Sequence, residues 1–174
     1  MRKRILCAIA VCAAALTALL LYTTRAQKVQ YAMPAYMFSE NAEAETTLEF
    51  TGTMRRRLFG DYKYTFSGFV VVKTVPFTQE NPAWPVDLCF VEADDGALSA
   101  SGLYGPAVGV SGFAPSGFCN MRVNQGYKNA ALHIGSYGSY DFSCWVAAPA
   151  QNRNDAENIV QNLFKEDIDY SLTQ

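Results

Sequence analysis

A single histidine, His133, stands in the chain. Imidazole titrates near neutral pH, so it is the natural candidate for a general base. One histidine excludes a multi-histidine zinc site and an H-E-x-x-H helix. The run Ala131-Leu132-His133-Ile134 reads as a strand, which turns His133 away from the face holding Leu132 and Ile134. Beyond the N-terminal segment the cysteines are Cys89, Cys119 and Cys144, with no C-x-x-C among them. An odd number leaves at least one thiol unpaired. Each lies in an apolar run, where a thiol packs as a small hydrophobe. A nucleophilic cysteine would need exposure beside a base such as His133. No G-x-S-x-G is present, although Ser111-Gly112 and Ser116-Gly117 lie near glycines. Glu92, Asp94 and Asp95 cluster without the spacing of a calcium loop and read as a turn. A carboxylate pair for glycosidic cleavage would have to be assembled by the fold. No catalytic residue, no metal site and no cofactor is expected from these patterns, and the balance leans away from an enzyme.

Binding chemistry has more to work with. Arg55, Arg56 and Arg57 follow a strand-like run and precede Leu58-Phe59. Guanidinium forks suit phosphate and carboxylate, so the triplet marks an anion contact: a cell-wall polymer, a lipid headgroup or an acidic partner. The bland alternative is a solvated turn. Tyr62, Tyr64, Trp84, Tyr127, Tyr137 and Tyr140 fall at or near predicted turns. Aromatics there offer apolar area with a polar handle, for a carbohydrate or a protein, unless they pack at the sheet edge.

These residues depend on β-structure for their placement. Leu48, Phe50, Gly52 and Met54 alternate with Thr47, Glu49, Thr51 and Thr53, the pattern of a half-buried strand. Further strands are predicted over 68–75, 86–93, 97–104, 118–123, 128–134 and 140–148. Asp94-Asp95-Gly96 reads as a hairpin turn, with glycine for the positive φ. Residues 102–117 are glycine-rich and loop-like but contain no G-x-G-x-x-G. Strands that follow one another without helices favour an antiparallel meander or a partly closed barrel. One helix closes the chain. Asn154 is its predicted N-cap, with Glu157 in the capping-box position. Ala156, Ile159, Val160, Leu163 and Phe164 form its buried stripe, to be laid on one sheet face.

The other end of the chain is different in kind. In residues 5–22 only Thr17 is not hydrophobic, and no charge lies between Arg4 and Arg25. As a helix those 18 residues would span ~27 Å, enough for a bilayer core. Arg2, Lys3 and Arg4 precede the run, against Arg25 and Lys28 after it, which leaves the N-terminus in the cytoplasm. The run exceeds the usual apolar core of a signal peptide, so an uncleaved anchor is the first reading. Cleavage near Ala26 and secretion is the alternative.

The division into segments is then 1–25 as signal anchor or signal peptide, 26–46 as stalk, and 47–174 as an extracytoplasmic β-rich domain. The whole chain is 50% hydrophobic with a net charge of −2. Those averages conceal a basic N-terminus and an acidic remainder, since all sixteen acidic residues follow residue 26. Nucleic-acid binding is excluded by that balance. Disorder and a disulfide miniprotein are excluded by composition.

The layout Phe50-Thr51-Gly52, Leu58-Phe59-Gly60, Phe66-Ser67-Gly68 then carries a resemblance. It is followed by Ala147-Ala148-Pro149-Ala150-Gln151-Asn152-Arg153 and by Asp155-Ala156-Glu157. With the N-terminal apolar segment, it resembles small uncharacterised membrane-anchored exported proteins of low-GC Gram-positive bacteria. The resemblance implies a membrane-anchored β-rich domain with a C-terminal helix. It carries no activity and no site residue.

The expectation is therefore an α+β, mostly β domain with one C-terminal helix, held by an N-terminal transmembrane helix. Its expected role is binding or interaction outside the cytoplasm, with the membrane as one partner and a cell-wall polymer or protein as the other. A cell-envelope hydrolase or thiol enzyme is the second expectation. A structural or assembly subunit of the envelope is the third.

Overall fold

The computed structural model describes residues 2–79, 85–105, 117–124, 126, 128–136 and 142–165, with side chains of the first helix from Ile9 onward. That helix, α1 (Arg2–Thr23), leads into eight strands. They are β1 (Gln27–Phe38), β2 (Glu43–Arg56), β3 (Tyr64–Val72), β4 (Val86–Glu92), β5 (Leu98–Tyr104), β6 (Gly117–Val123), β7 (Ala130–Ser136) and β8 (Ser143–Ala148). A second helix, α2 (Arg153–Phe164), follows. Each strand pairs antiparallel with the next, and β8 returns to β1 through Tyr36 opposite Ala147 and Phe38 opposite Trp145. The expected meander is thus a fully closed barrel of eight strands.

Alternation decides what lies inside. In β6, Gly117, Cys119, Met121 and Val123 are buried, and Phe118, Asn120 and Arg122 between them are not. Eight strands leave room for side chains and little else. Leu48, Phe66, Val70, Val72, Leu88, Phe90, Leu132, Ile134 and Val146 fill that room. At the end where β5 finishes, Phe77 meets Tyr104 edge-on at 5.5 Å and Phe142 at 6.3 Å. Gly52 and Gly68 stand opposite each other between β2 and β3, and the Phe66 ring lies across them. The F-x-G repeats in the sequence are therefore a packing unit.

A second core lies outside the barrel. Ala156, Val160, Leu163 and Phe164 of α2 pack with Phe38, Ala131, Trp145 and Ala147. This explains why β8 is buried on both faces: Cys144, Val146 and Ala148 point into the barrel, Trp145 and Ala147 under the helix. Ile159, expected in the buried stripe, is only half-buried at its margin. The N-cap is Asn152 rather than Asn154. Its Oδ1 accepts from the Asp155 backbone N–H at 2.9 Å, and its Nδ2 donates to the Asp155 carboxylate at 2.8 Å. Asn154 instead lies inside the first turn.

The segment 26–46, read as a stalk, holds β1, its turn and the start of β2. Val29, Met33, Ala35 and Met37 alternate toward the barrel core. Proline is tolerated at 34 because β1 pairs with β8 only over residues 36–38, and on that side the Pro34 carbonyl accepts from the Ala150 N–H at 3.3 Å. The side chains of α1 are described only from Ile9 onward, and among the residues so described no helix is long and apolar enough to cross a membrane.

Candidate functional site

Antiparallel order sorts the connections between the two barrel ends. The β2–β3, β4–β5 and β6–β7 turns share the end where β1 begins. Arg55 and Arg56 finish β2 at that end, and Arg57 enters the turn, with its N–H donating to the Lys63 carbonyl at 2.9 Å. All three arginines are exposed, and among the described residues none forms an ion pair. Lys63, by contrast, is held by Glu92 at 2.6 Å. Phe59 at the tip is 86% exposed, and Leu58 and Tyr62 are also exposed. Gly60 takes φ 94°, which lets the chain reverse there.

The hairpin thus brings together Arg55, Arg56, Arg57 and Tyr62. Tyr64 differs: it starts β3 half-buried against the barrel core. Trp84, Tyr127, Tyr137 and Tyr140 lie outside the described residues. Phe59, exposed at the same tip, is not among the sequence candidates, although it forms an apolar pair with Leu58 beside a turn glycine and three arginines.

The outer face of β5–β8 gathers a second set. His133 is stacked on Trp145, with ring centroids 4.6 Å apart and 25° between planes. Phe118 meets it edge-on at 5.6 Å, lying over Gly135, where a Cβ would stand 2.5 Å from the ring. The Nε2 of His133 shares a 2.7 Å hydrogen bond with the Ser143 hydroxyl. Burial pushes its pKa below the usual histidine value. An open groove of about 350 Å³ runs alongside, lined by Ser101, Gly102, Leu103, Phe118 and Asn120. His133 faces outward, as its place between Leu132 and Ile134 predicts, but Ser143 and Trp145 lie on another strand and leave no local trace in the sequence.

The cysteines do not join this set. Cys119 and Cys144 point into the barrel, on the opposite face of the sheet from His133. Both flank Ile134 from adjacent strands. Two strand spacings put their Cα atoms roughly 9 Å apart, beyond disulfide reach. Burial pushes each thiol pKa up to about 12. The Tyr104 hydroxyl lies beside Cys119, and burial raises its pKa too. Cys89 is a free, half-exposed thiol on β4. The acidic cluster is a turn: Ala97 N–H donates to Asp95 Oδ1 at 2.9 Å, and this bond holds the Asp95 carboxyl below its usual pKa. Gly96 there has φ 79°.

Comparison with protein-family models, with curated proteins and with solved structures finds no match to this chain.

Proposed function

We propose that this chain is a membrane-tethered binding or interaction domain, carried outside the cytoplasm by α1. The observation that supports it is the exposure of α1. Ile9, Val11, Leu16, Leu19 and Leu21 are between 58% and 68% exposed, and Tyr22 is 75% exposed. These side chains lie on every side of the helix and belong to neither core. A helix that is apolar all round needs apolar cover on every face, and a bilayer supplies it. The flanking arginines and lysines orient the barrel outward. Partner binding is assigned to the exposed surface because the barrel interior is filled with side chains. A cell-wall polymer or a protein is the partner class in this reading.

Fractionation with intact mass measurement tests the tether. The full chain of 19.2 kDa should stay with the membrane after alkaline extraction. A shortened chain beginning near Ala26 in the soluble fraction would replace the anchor with secretion. A cytoplasmic, readily extracted full chain would overturn the proposal.

A hydrolase is the second reading, supported by the Ser143–His133 hydrogen bond. A neutral imidazole at that distance is placed to take a serine proton. Hydrolysis of an activated ester that disappears in Ser143→Ala would favour it. Equal rates in the variant and the parent would count against it.

A further inference from the structure

We infer that the β2–β3 hairpin tip is a second membrane contact, docking Arg55, Arg56 and Arg57 on lipid phosphates and Phe59 in the interface of the bilayer that holds α1. The inference rests on the tether reading and adds a site to it.

Reach is the first argument. Only Thr24, Arg25 and Ala26 separate Thr23 of α1 from Gln27 of β1. An extended chain covers at most ~3.6 Å per residue, so Thr23 and Gln27 are no more than roughly 14 Å apart. If α1 ends at the membrane surface, the barrel end at Gln27 cannot stand far from it.

Register is the second. Gln27 pairs with Met54. The hairpin then continues past that pair: Arg55 opposite Thr65, Arg56 opposite Tyr64, and Arg57 bonded to Lys63. Three further residues at ~3.3 Å each carry it about 10 Å beyond the first residue of β1. Leu58, Phe59 and Gly60 lie farther still. The tip extends past the start of β1, at the barrel end where α1 arrives, beside the β4–β5 turn.

Chemistry is the third. An anionic bilayer surface takes guanidinium groups at the phosphates and aromatic or aliphatic side chains just below them. The tip offers three arginines without ion-pair partners among the described residues, beside an 86% exposed phenylalanine. Arg25 and Lys28 add positive charge at the same end. Of the nearby acids, Glu92 is paired with Lys63, and Asp95 is engaged at its turn and 3.9 Å from Arg122. Asp61 and Asp94 remain as exposed counter-charges. An acidic protein would satisfy the arginines but gives no reason for the reach and register to coincide with the anchor.

The test uses the full chain in nanodiscs of phosphatidylcholine, with or without phosphatidylglycerol, both with brominated acyl chains. Phe59→Trp places a reporter at the tip, and subtraction of the parent chain removes Trp84 and Trp145. In anionic discs the emission of residue 59 should be quenched. Combined Arg55→Glu, Arg56→Glu and Arg57→Glu should lower the docked-to-undocked ratio by at least roughly 100-fold, at about fivefold for each basic residue removed. Inorganic phosphate, matched to chloride in ionic strength, should leave the quenching unchanged. Chain retained in anionic discs with residue 59 unquenched would overturn the inference. Loss of quenching on adding phosphate would overturn it in favour of a free-anion site. Failure of the chain to enter either disc would overturn the tether reading itself, and this inference with it.

Discussion

The imidazole of His133 lies on the indole of Trp145, 4.6 Å between centroids and 25° from parallel. Burial disfavours the charged ring, so its folded pKa lies below the ordinary imidazole value of 6.5. The unfolded chain then binds the proton more tightly. The stability tied to neutral His133 is fully present above pH 6.5 and is lost as pH falls from there through the folded pKa. Urea midpoints at pH 7 and pH 5 should differ more for the parent than for His133→Gln. An equal drop in both would show that His133 does not contribute.

Gly52 and Gly68 predict a local overpacking cost. A methyl on Gly68 would stand 2.5 Å from the Gly52 Cα, and one on Gly52 would stand 2.7 Å from the Gly68 Cα. Neither backbone can yield without opening the β2–β3 ladder. Gly68→Ala should destabilise the barrel by roughly 1–3 kcal/mol or more. Gly60→Ala, with open space around its Cβ, should cost only its backbone strain, about 1 kcal/mol. Denaturant titration of the two variants checks the ordering.

Thiol chemistry should separate by strand face. Cys119 and Cys144, at 0% and 1% exposure, should resist maleimide in the folded chain, whereas Cys89 should react. Peptide mass mapping before and after unfolding reads this directly. Fast labelling of Cys119 would mean that the barrel opens or that β6 pairs in another register.

The outer core makes α2 part of the fold. Phe164 meets Trp145 edge-on at 5.0 Å, with the Arg122 guanidinium 5.6 Å from its ring. Phe164→Ala should cost roughly 3–5 kcal/mol, and Ile159→Ala distinctly less because Ile159 is half-buried. Thermal unfolding of the two variants measures the difference.

How far the sequence reached depended on whether a signal was local. Period-2 alternation marked β2 because one of its faces lies in the core. The hairpin at Asp94-Asp95-Gly96 was legible from its turn chemistry. β1 was hidden by Pro34 and by the polar residues around Ser39, since its register is set by β2 across the turn. Closure of the barrel was not legible, because Phe38 meets Trp145 across more than a hundred residues. At the candidate site the arginine triplet was visible as a charge run. That it forms no ion pair among the described residues, and that it lies past Gln27, is visible only in the folded chain. His133 was visible as a lone titratable group, but its two partners, Ser143 and Trp145, arrive on β8.

The central claim is that α1 holds the barrel on the outer side of a membrane. Glu40 is exposed in the β1–β2 turn, at the barrel end away from α1. In Glu40→Cys, labelling by a membrane-impermeant maleimide on intact cells measures the side directly, with the parent chain correcting for Cys89. The account predicts equal labelling of residue 40 before and after permeabilisation, on a chain that remains in the membrane fraction. Labelling that appears only after permeabilisation would contradict it.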